Sequence, residues 1–289
     1  MNRSNSNGEG RFLRFGWSER LEHGVLLVSF TVLAISGLPQ KYPESLWGDW
    51  MIRMMGGIES TRLIHHTAAI VLILGSIYHL VAVGYKIWVR RARLTMLPSW
   101  KDVQDAWQLF LYNLRLRAEP PKMGRYTFGE KVEYWAVIWG TVIMAITGFM
   151  LWNPILVTQY LPGQFIPAAK AAHGGEAILA VLSILTWHAY HVHIKHFNRS
   201  MFTGWLTRHE MEEEHPLELA ELEQGTAQPP VDEALVARRR RIYIPVAFLF
   251  SVALLIGLYV FATFETTAIT TVPRQTVEVY TPATPTPAP

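Results

Sequence analysis

Thr61-Arg-Leu-Ile-His65-His66-Thr-Ala-Ala-Ile-Val-Leu-Ile-Leu-Gly75-Ser-Ile-Tyr-His79 opens an apolar run that continues to Val89. An uninterrupted apolar stretch of this length reads as a transmembrane helix. It carries His65 and His79, fourteen residues apart. Ionisable groups are expensive inside a bilayer, so an intramembrane histidine is a functional-site candidate by default. A second run repeats the pattern, with His173 and His188 fifteen apart, and His23 opens a third. At about 1.5 Å of rise per residue these spacings span roughly 21–22 Å, and both return a side chain to within about 60° of its starting direction. This places one ligand level near each face of a hydrocarbon core about 30 Å thick. Two stacked haem groups are the cofactors that suit such a ruler.

Working outward, five apolar segments are expected to span: 21–38, ending at Ser36-Gly37-Leu38-Pro39 as a helix stop, then 63–89, 132–152, 171–194 and 242–264. The fifth carries neither histidine nor charge. Half of the 289 residues are hydrophobic and 17% are charged; the eleven Trp and eleven Tyr suit the interfacial belts of a membrane protein. A net charge of +3 gives no support to a nucleic-acid partner. With no cysteine, the chain itself offers no thiolate for an iron–sulfur cluster, no c-type haem attachment and no disulfide. The N-terminus lacks the layout of a cleaved signal peptide.

Basic residues concentrate in 86–131 and 195–241, including Arg238 to Arg241. The opposite loops hold only Lys41, Arg53, Arg62 and Lys170. The positive-inside rule then places the N-terminus in the cytoplasm and the C-terminus outside, for a multi-pass protein of the cytoplasmic membrane. His65 and His173 fall near the outer face; His23, His79 and His188 fall near the inner one. Residues 97–120 read as an amphipathic helix on the inner surface, and Glu210 to Glu223 as a solvated helix. His193, His196, His209 and His215 are expected at the interface or in water. The domain plan is an N-terminus (1–20), a four-helix di-haem domain (21–215), a cytoplasmic linker (216–241), the fifth helix (242–264) and a disordered Thr/Pro-rich tail outside (265–289). The fold class is thus an all-α integral membrane protein, a four-helix haem-binding bundle plus a fifth C-terminal helix.

Bis-histidine ligation needs two imidazoles from different helices at one depth. At the outer level these are His65 and His173. At the inner level His188 has two candidate partners, His23 and His79, and depth alone does not choose.

Several short stretches together resemble the cytochrome b (gamma) subunits of membrane-bound formate dehydrogenases, and the related subunits of nickel–iron hydrogenases and thiosulfate reductases in the cytochrome b561-like superfamily. They are Arg20-Leu-Glu-His23, Leu33-Ala-Ile-Ser-Gly37, Thr61-Arg-Leu-Ile-His65, Arg125-Tyr-Thr-Phe-Gly-Glu-Lys131, Thr147-Gly148, Leu151-Trp-Asn-Pro154, Ala172-His173-Gly174 and Trp187-His188-Ala-Tyr190. The resemblance implies two haem b groups, an outer one on His65 and His173 and an inner one on His23 and His188. It also implies a quinone beside the inner haem, near Tyr126, Thr127, Gly129, Glu130 and Lys131. The partners it implies are redox subunits of a membrane complex (an iron–sulfur or catalytic subunit, or a cytochrome c). The family spacing on the fourth helix is fourteen, which leaves His191 as an alternative to His188. His79 has no family counterpart, and the fifth helix and tail lie outside the resemblance.

The expected function is electron relay between a partner redox subunit and the quinone pool, in either direction. Two other readings stand beside it: a b561-type transmembrane reductase of a small acceptor, and a haem-free membrane anchor whose histidines bind a transition metal or shuttle protons.

Overall fold

The computed structural model describes residues 10–195, 197–227 and 232–263. Its elements in chain order are β1 (Arg11–Leu13), α1 (Trp17–Lys41), α2 (Leu46–Met54), α3 (Ile58–Gly84), α4 (Trp100–Asn113), α5 (Phe128–Trp152), α6 (Pro154–Tyr160), α7 (Phe165–Ser183), α8 (Ser200–Thr203), β2 (Trp205–Thr207), α9 (Arg208–Glu214), α10 (Pro216–Glu223) and α11 (Glu233–Thr263). Wider π turns extend α3 through Tyr85–Val89 and α7 through Ile184–His188 and Tyr190–Lys195. Among the described residues, five helical segments are long and apolar enough to cross a membrane: Trp17–Lys41, Ile58–Val89, Phe128–Trp152, Phe165–Lys195 and Glu233–Thr263. The protein is an all-helical, multi-pass membrane bundle, with four spans grouped around the histidines and the fifth alongside.

Two of the spans begin at a local capping interaction. Thr127 caps α5 by accepting from the Glu130 N–H (3.1 Å), while the Glu130 carboxylate accepts from the Thr127 N–H (2.8 Å). Glu19 likewise reaches back to the Gly16 N–H (2.7 Å). These bonds, reciprocal at Thr127 and one-way at Gly16, satisfy donors that a helix start leaves unpaired. Pro39 does not end α1 as expected; the helix runs on to Lys41. A proline in the last turn forfeits little of the ladder, and the Tyr42 N–H closes on the Leu38 and Pro39 carbonyls instead.

Helices α1 and α3 pack as one antiparallel pair, α5 and α7 as another, and α1 also touches α7. The fifth helix lies against α3 and α5. Tyr243 donates to the Val81 carbonyl (2.7 Å) and stacks near Tyr85 and Trp88, while Phe261 packs on Phe149 and Trp152. The α4 helix leaves Trp100, Val103, Trp107 and Phe110 exposed on one stripe, as an interfacial helix requires. Its other side is tied to α5 by Asp102 to Lys131 (2.7 Å), while Asp105 bonds Lys101 within α4 itself (2.5 Å).

Two features depart from expectation at the end of the bundle where the chain begins. First, β1 pairs antiparallel with β2, Phe12 opposite Leu206. Second, residues 208–223 are not a solvated helix. They form α9 and α10, which break at His215–Pro216 and bury Met211 and Leu219 with Leu206, Phe12 and Leu222. The acidic composition hid this, because Glu218 is buried between Arg14 (2.9 Å) and Arg125 (2.6 Å). His215, expected at the interface or in water, is 1% exposed and bonded through Nδ1 to the Gly124 carbonyl (2.9 Å). The stretch expected as a linker, 216–241, includes α10 and the first turns of α11. The tail at 265–289 lies outside the described residues.

Candidate functional site

The histidine spacing becomes geometry in two places. His65 on α3 faces His173 on α7, ring centroids 6.3 Å apart; His23 on α1 faces His188 beyond α7, centroids 6.4 Å apart. Imidazole–metal bonds of about 2.0–2.1 Å, with about 1.1 Å from nitrogen to ring centre on each side, set two rings on opposite sides of one metal roughly 6.3 Å apart. Both pairs therefore stand at the separation of bis-imidazole ligation.

On three of these four histidines the other ring nitrogen is held. The Ser36 hydroxyl gives its proton to the Val32 carbonyl (2.7 Å), so at 3.0 Å it accepts from His65 Nδ1–H. Thr147 repeats the device on the second helix pair, donating to Ile143 (2.7 Å) and accepting from His173 Nδ1–H at 3.0 Å. Glu133 accepts from His188 Nδ1–H at 2.8 Å. In each case the tautomer leaves Nε2 with a lone pair for a metal, the arrangement usual for ligating histidines.

Space is reserved as well. A Cβ on Gly37 would lie 2.9 Å from His65 Cε1, and one on Gly148 would lie 3.2 Å from His173 Cε1. Ser36-Gly37 and Thr147-Gly148 are thus equivalent: a hydroxyl to orient the imidazole, then a glycine to let it approach.

His79 is committed elsewhere. Its Nδ1 bonds Glu22 (2.7 Å) and its Nε2 bonds the Tyr134 hydroxyl (3.0 Å), leaving no ring nitrogen for a metal. His66 stacks on Trp152, centroids 3.9 Å apart. His191 bonds the Trp187 carbonyl through Nδ1 (2.9 Å) and lies against the Trp187 ring. The π turn at Ile184–His188 explains how a fifteen-residue spacing serves a fourteen-residue geometry. An i→i+5 turn absorbs one extra residue without rotating the helix beyond it, so His188 and not His191 meets His23.

Among the described residues no three His, Cys, Asp or Glu gather to hold a metal ion. Each pair would hold haem iron between two imidazoles, with the porphyrin completing the coordination. The residues present fit haem.

The loop entering α5 lies beside the His23/His188 pair, because Glu133 is one turn from Gly129. Tyr126 is flanked by the guanidinium groups of Arg14 (5.0 Å) and Arg125 (5.2 Å). Glu130 bonds Arg14 (3.1 Å) as well as capping α5, and Lys131 bonds Asp102, so these two neighbours do not pair with each other. Burial works against the Asp102 carboxylate's ionisation, yet the Lys131 ammonium and Ser99 together hold its pKa below the usual range. Arg125 is likewise held firmly cationic: Tyr126 and Glu218 outweigh its burial.

Sequence reasoning passed over Glu22, Glu133 and Tyr134. The signal was available: a carboxylate inside a membrane span is as costly as a histidine and equally informative.

A membrane-embedded helical bundle with opposed imidazoles at two levels defines a multi-pass membrane cytochrome of the b type. Residues 14–204 match the family model of the prokaryotic cytochrome b561 proteins, and the chain belongs to that family. Among its relatives, the cytochrome b556(fdo) subunit of formate dehydrogenase from Escherichia coli K12 is 23% identical over 217 residues, covering 74% of this chain and 94% of the relative. The cytochrome b556(Fdn) subunit of the nitrate-inducible formate dehydrogenase from the same strain is 21% identical over 226 residues, 77% and 97%. The formate dehydrogenase cytochrome b556 subunit of Haemophilus influenzae is 23% identical over 221 residues, 75% and 85%. Residues beyond the family match include the whole of α11.

Proposed function

We propose that this chain carries two b haems, one on His65 and His173 and one on His23 and His188. On this reading it relays electrons between a redox partner subunit and a membrane quinone. Haem iron, when bound, would supply one-electron transfer, and the histidines, their burial and their hydrogen bonds would tune its potential. The chain's own residues do the rest. Four Nε2 atoms bind, Ser36, Thr147 and Glu133 hold the tautomers, and the apolar helix faces exclude water. The observation that carries the proposal is the pair of imidazole–imidazole separations near 6.3 Å, with oriented partners on the outward nitrogens.

On the same reading a quinone binds beside the His23/His188 pair, at Tyr126, Thr127, Gly129, Glu130 and Lys131. Support comes from the closeness of this loop to Glu133 and His188, and from the names of the relatives, which belong to formate dehydrogenases. Basic loops favour a cytoplasmic N-terminus in the cytoplasmic membrane, with the partner at the His65/His173 end. The direction of flow depends on the partner's potential.

The test is reoxidation of dithionite-reduced membranes, monitored at the b-type absorption band. A soluble quinone analogue is expected to oxidise the haem rapidly, and Tyr126→Ala to slow this without changing haem content. Oxidation by a ferric chelate but not by the quinone analogue would instead select a reductase of a small acceptor.

A further inference from the structure

The fifth helix brings a feature that the haem bundle does not use. Where α11 crosses the π turn after α3, an open cleft of about 360 Å³ forms, with Arg90 on one wall and Arg240 and Arg241 on the other. That volume falls within the range of small-ligand sites, about 300–1,000 Å³. Arg90 also lies over the Tyr85 ring, 5.9 Å from its centre. The crossing is fixed by Tyr243, which bonds Val81 and packs on Tyr85 and Trp88. The two walls therefore belong to one packed interface.

None of these three arginines has a carboxylate within ion-pair distance among the described residues. Like charges gathered in one cleft repel unless an anion enters. Glu233 also lines the cleft, seven residues before Arg240, so it stands about 10 Å further along the helix axis. In the opposite direction Ile244 closes the cleft, and Phe248, one turn on and 64% exposed, continues the same face. The site is thus cationic at the membrane boundary and apolar just inside it. That polarity matches a phospholipid, with its phosphate at the arginines and an acyl chain along Ile244 and Phe248. Basic pockets between membrane helices take acidic headgroups in this way.

We propose that the cleft between Tyr85–Arg90 and Arg240–Ile244 binds one anionic phospholipid and that this lipid cements the fifth helix to the bundle. The site is independent of the histidine pairs.

The test is native mass spectrometry of the detergent-purified full chain, titrated with phosphatidylglycerol or with phosphatidylcholine of the same acyl chains. One phosphatidylglycerol is expected to be retained in preference to phosphatidylcholine. Arg240→Gln with Arg241→Gln is expected to weaken that binding about thirtyfold, at about 1 kcal/mol for each arginine near a lipid surface. Arg240→Lys with Arg241→Lys should keep most of it, and Arg238→Gln, outside the cleft, should leave it unchanged. Equal retention of both lipids by the wild type would overturn the proposal, as would unaltered phosphatidylglycerol binding in the double Gln variant. Displacement by millimolar inorganic phosphate would show a free-anion site and also overturn it, and a loss in Arg238→Gln as large as in the double variant would replace the cleft with a diffuse basic surface. Should the double Gln variant not fold, the comparison of lipids on the wild type and on the Lys variant decides.

Discussion

Glu133→Gln is the perturbation that most sharply probes the His23/His188 pair. The carboxylate sits 2.8 Å from His188 Nδ1, whereas His65 and His173 are oriented by the neutral hydroxyls of Ser36 and Thr147. Gln still accepts from Nδ1–H, so the tautomer survives and only the charge is lost. A metal on the far ring nitrogen would lie about 7 Å from that carboxylate, given metal–nitrogen bonds near 2 Å. Coulomb's law at an effective dielectric of about 20 then gives roughly 2.4 kcal/mol. At about 59 mV per factor of ten for one electron, this is about 100 mV. The Glu133 side chain is 27% exposed, and solvent screening lowers the expectation to about 50–100 mV. The sign is fixed: removing a negative charge disfavours the ferric state, so the midpoint potential rises. Potentiometric titration of the b-type band in purified protein should show one component shifted upward and the other unmoved. A downward shift, no shift, or equal displacement of both components would refute the ligand geometry assigned to His188.

Three more outcomes rest on particular contacts. His23→Ala should lose half of the pyridine-haemochrome haem per chain while His79→Ala keeps it all; the reverse result would make His79 the ligand. Gly148→Val should crowd His173, whose Cε1 lies 3.2 Å from the Cβ position, and abolish the outer haem's spectral component while leaving the inner one; an unchanged spectrum would contradict the reserved space. His215 concerns stability. Burial and the nearby Arg14 hold its pKa below the ordinary 6.5, against the opposing pull of Glu130, Gly124 and Glu218. The unfolded chain therefore binds the proton first, and stability should fall as pH drops below about 6.5, by at most about 1.4 kcal/mol per pH unit. Thermal melting in detergent between pH 7.5 and 5.5 should show this limb, flattened in His215→Gln; an identical limb in the variant would assign it to another group.

The spanning helices were legible because an apolar run of this length has one membrane solution, and His65, His79, His173 and His188 announced themselves by cost. Depth and period do not separate His23 from His79. Their ring contacts do: Glu22 and Tyr134 reach His79 from α1 and α5, and no local pattern on α3 announces them. The extra residue before His188 was visible as a spacing of fifteen, but its absorption into a π turn depends on packing around Ile184–His188. Residues 208–223 misled for a different reason. Acidic composition implied solvent, yet Arg14 and Arg125, distant in sequence, bury Glu218. The fifth span was plain, while its alignment along α3 and α5 emerged only from Tyr243 and Phe261.

The central claim is two bis-imidazole haem sites in one chain, and haem content tests it most directly. Pyridine-haemochrome analysis of the purified protein, normalised by amino-acid analysis, should give two b haems per chain. It should give one in either His65→Ala or His23→Ala and none when both are replaced. A wild-type protein with no haem, or a double variant that keeps its haem, would contradict the account.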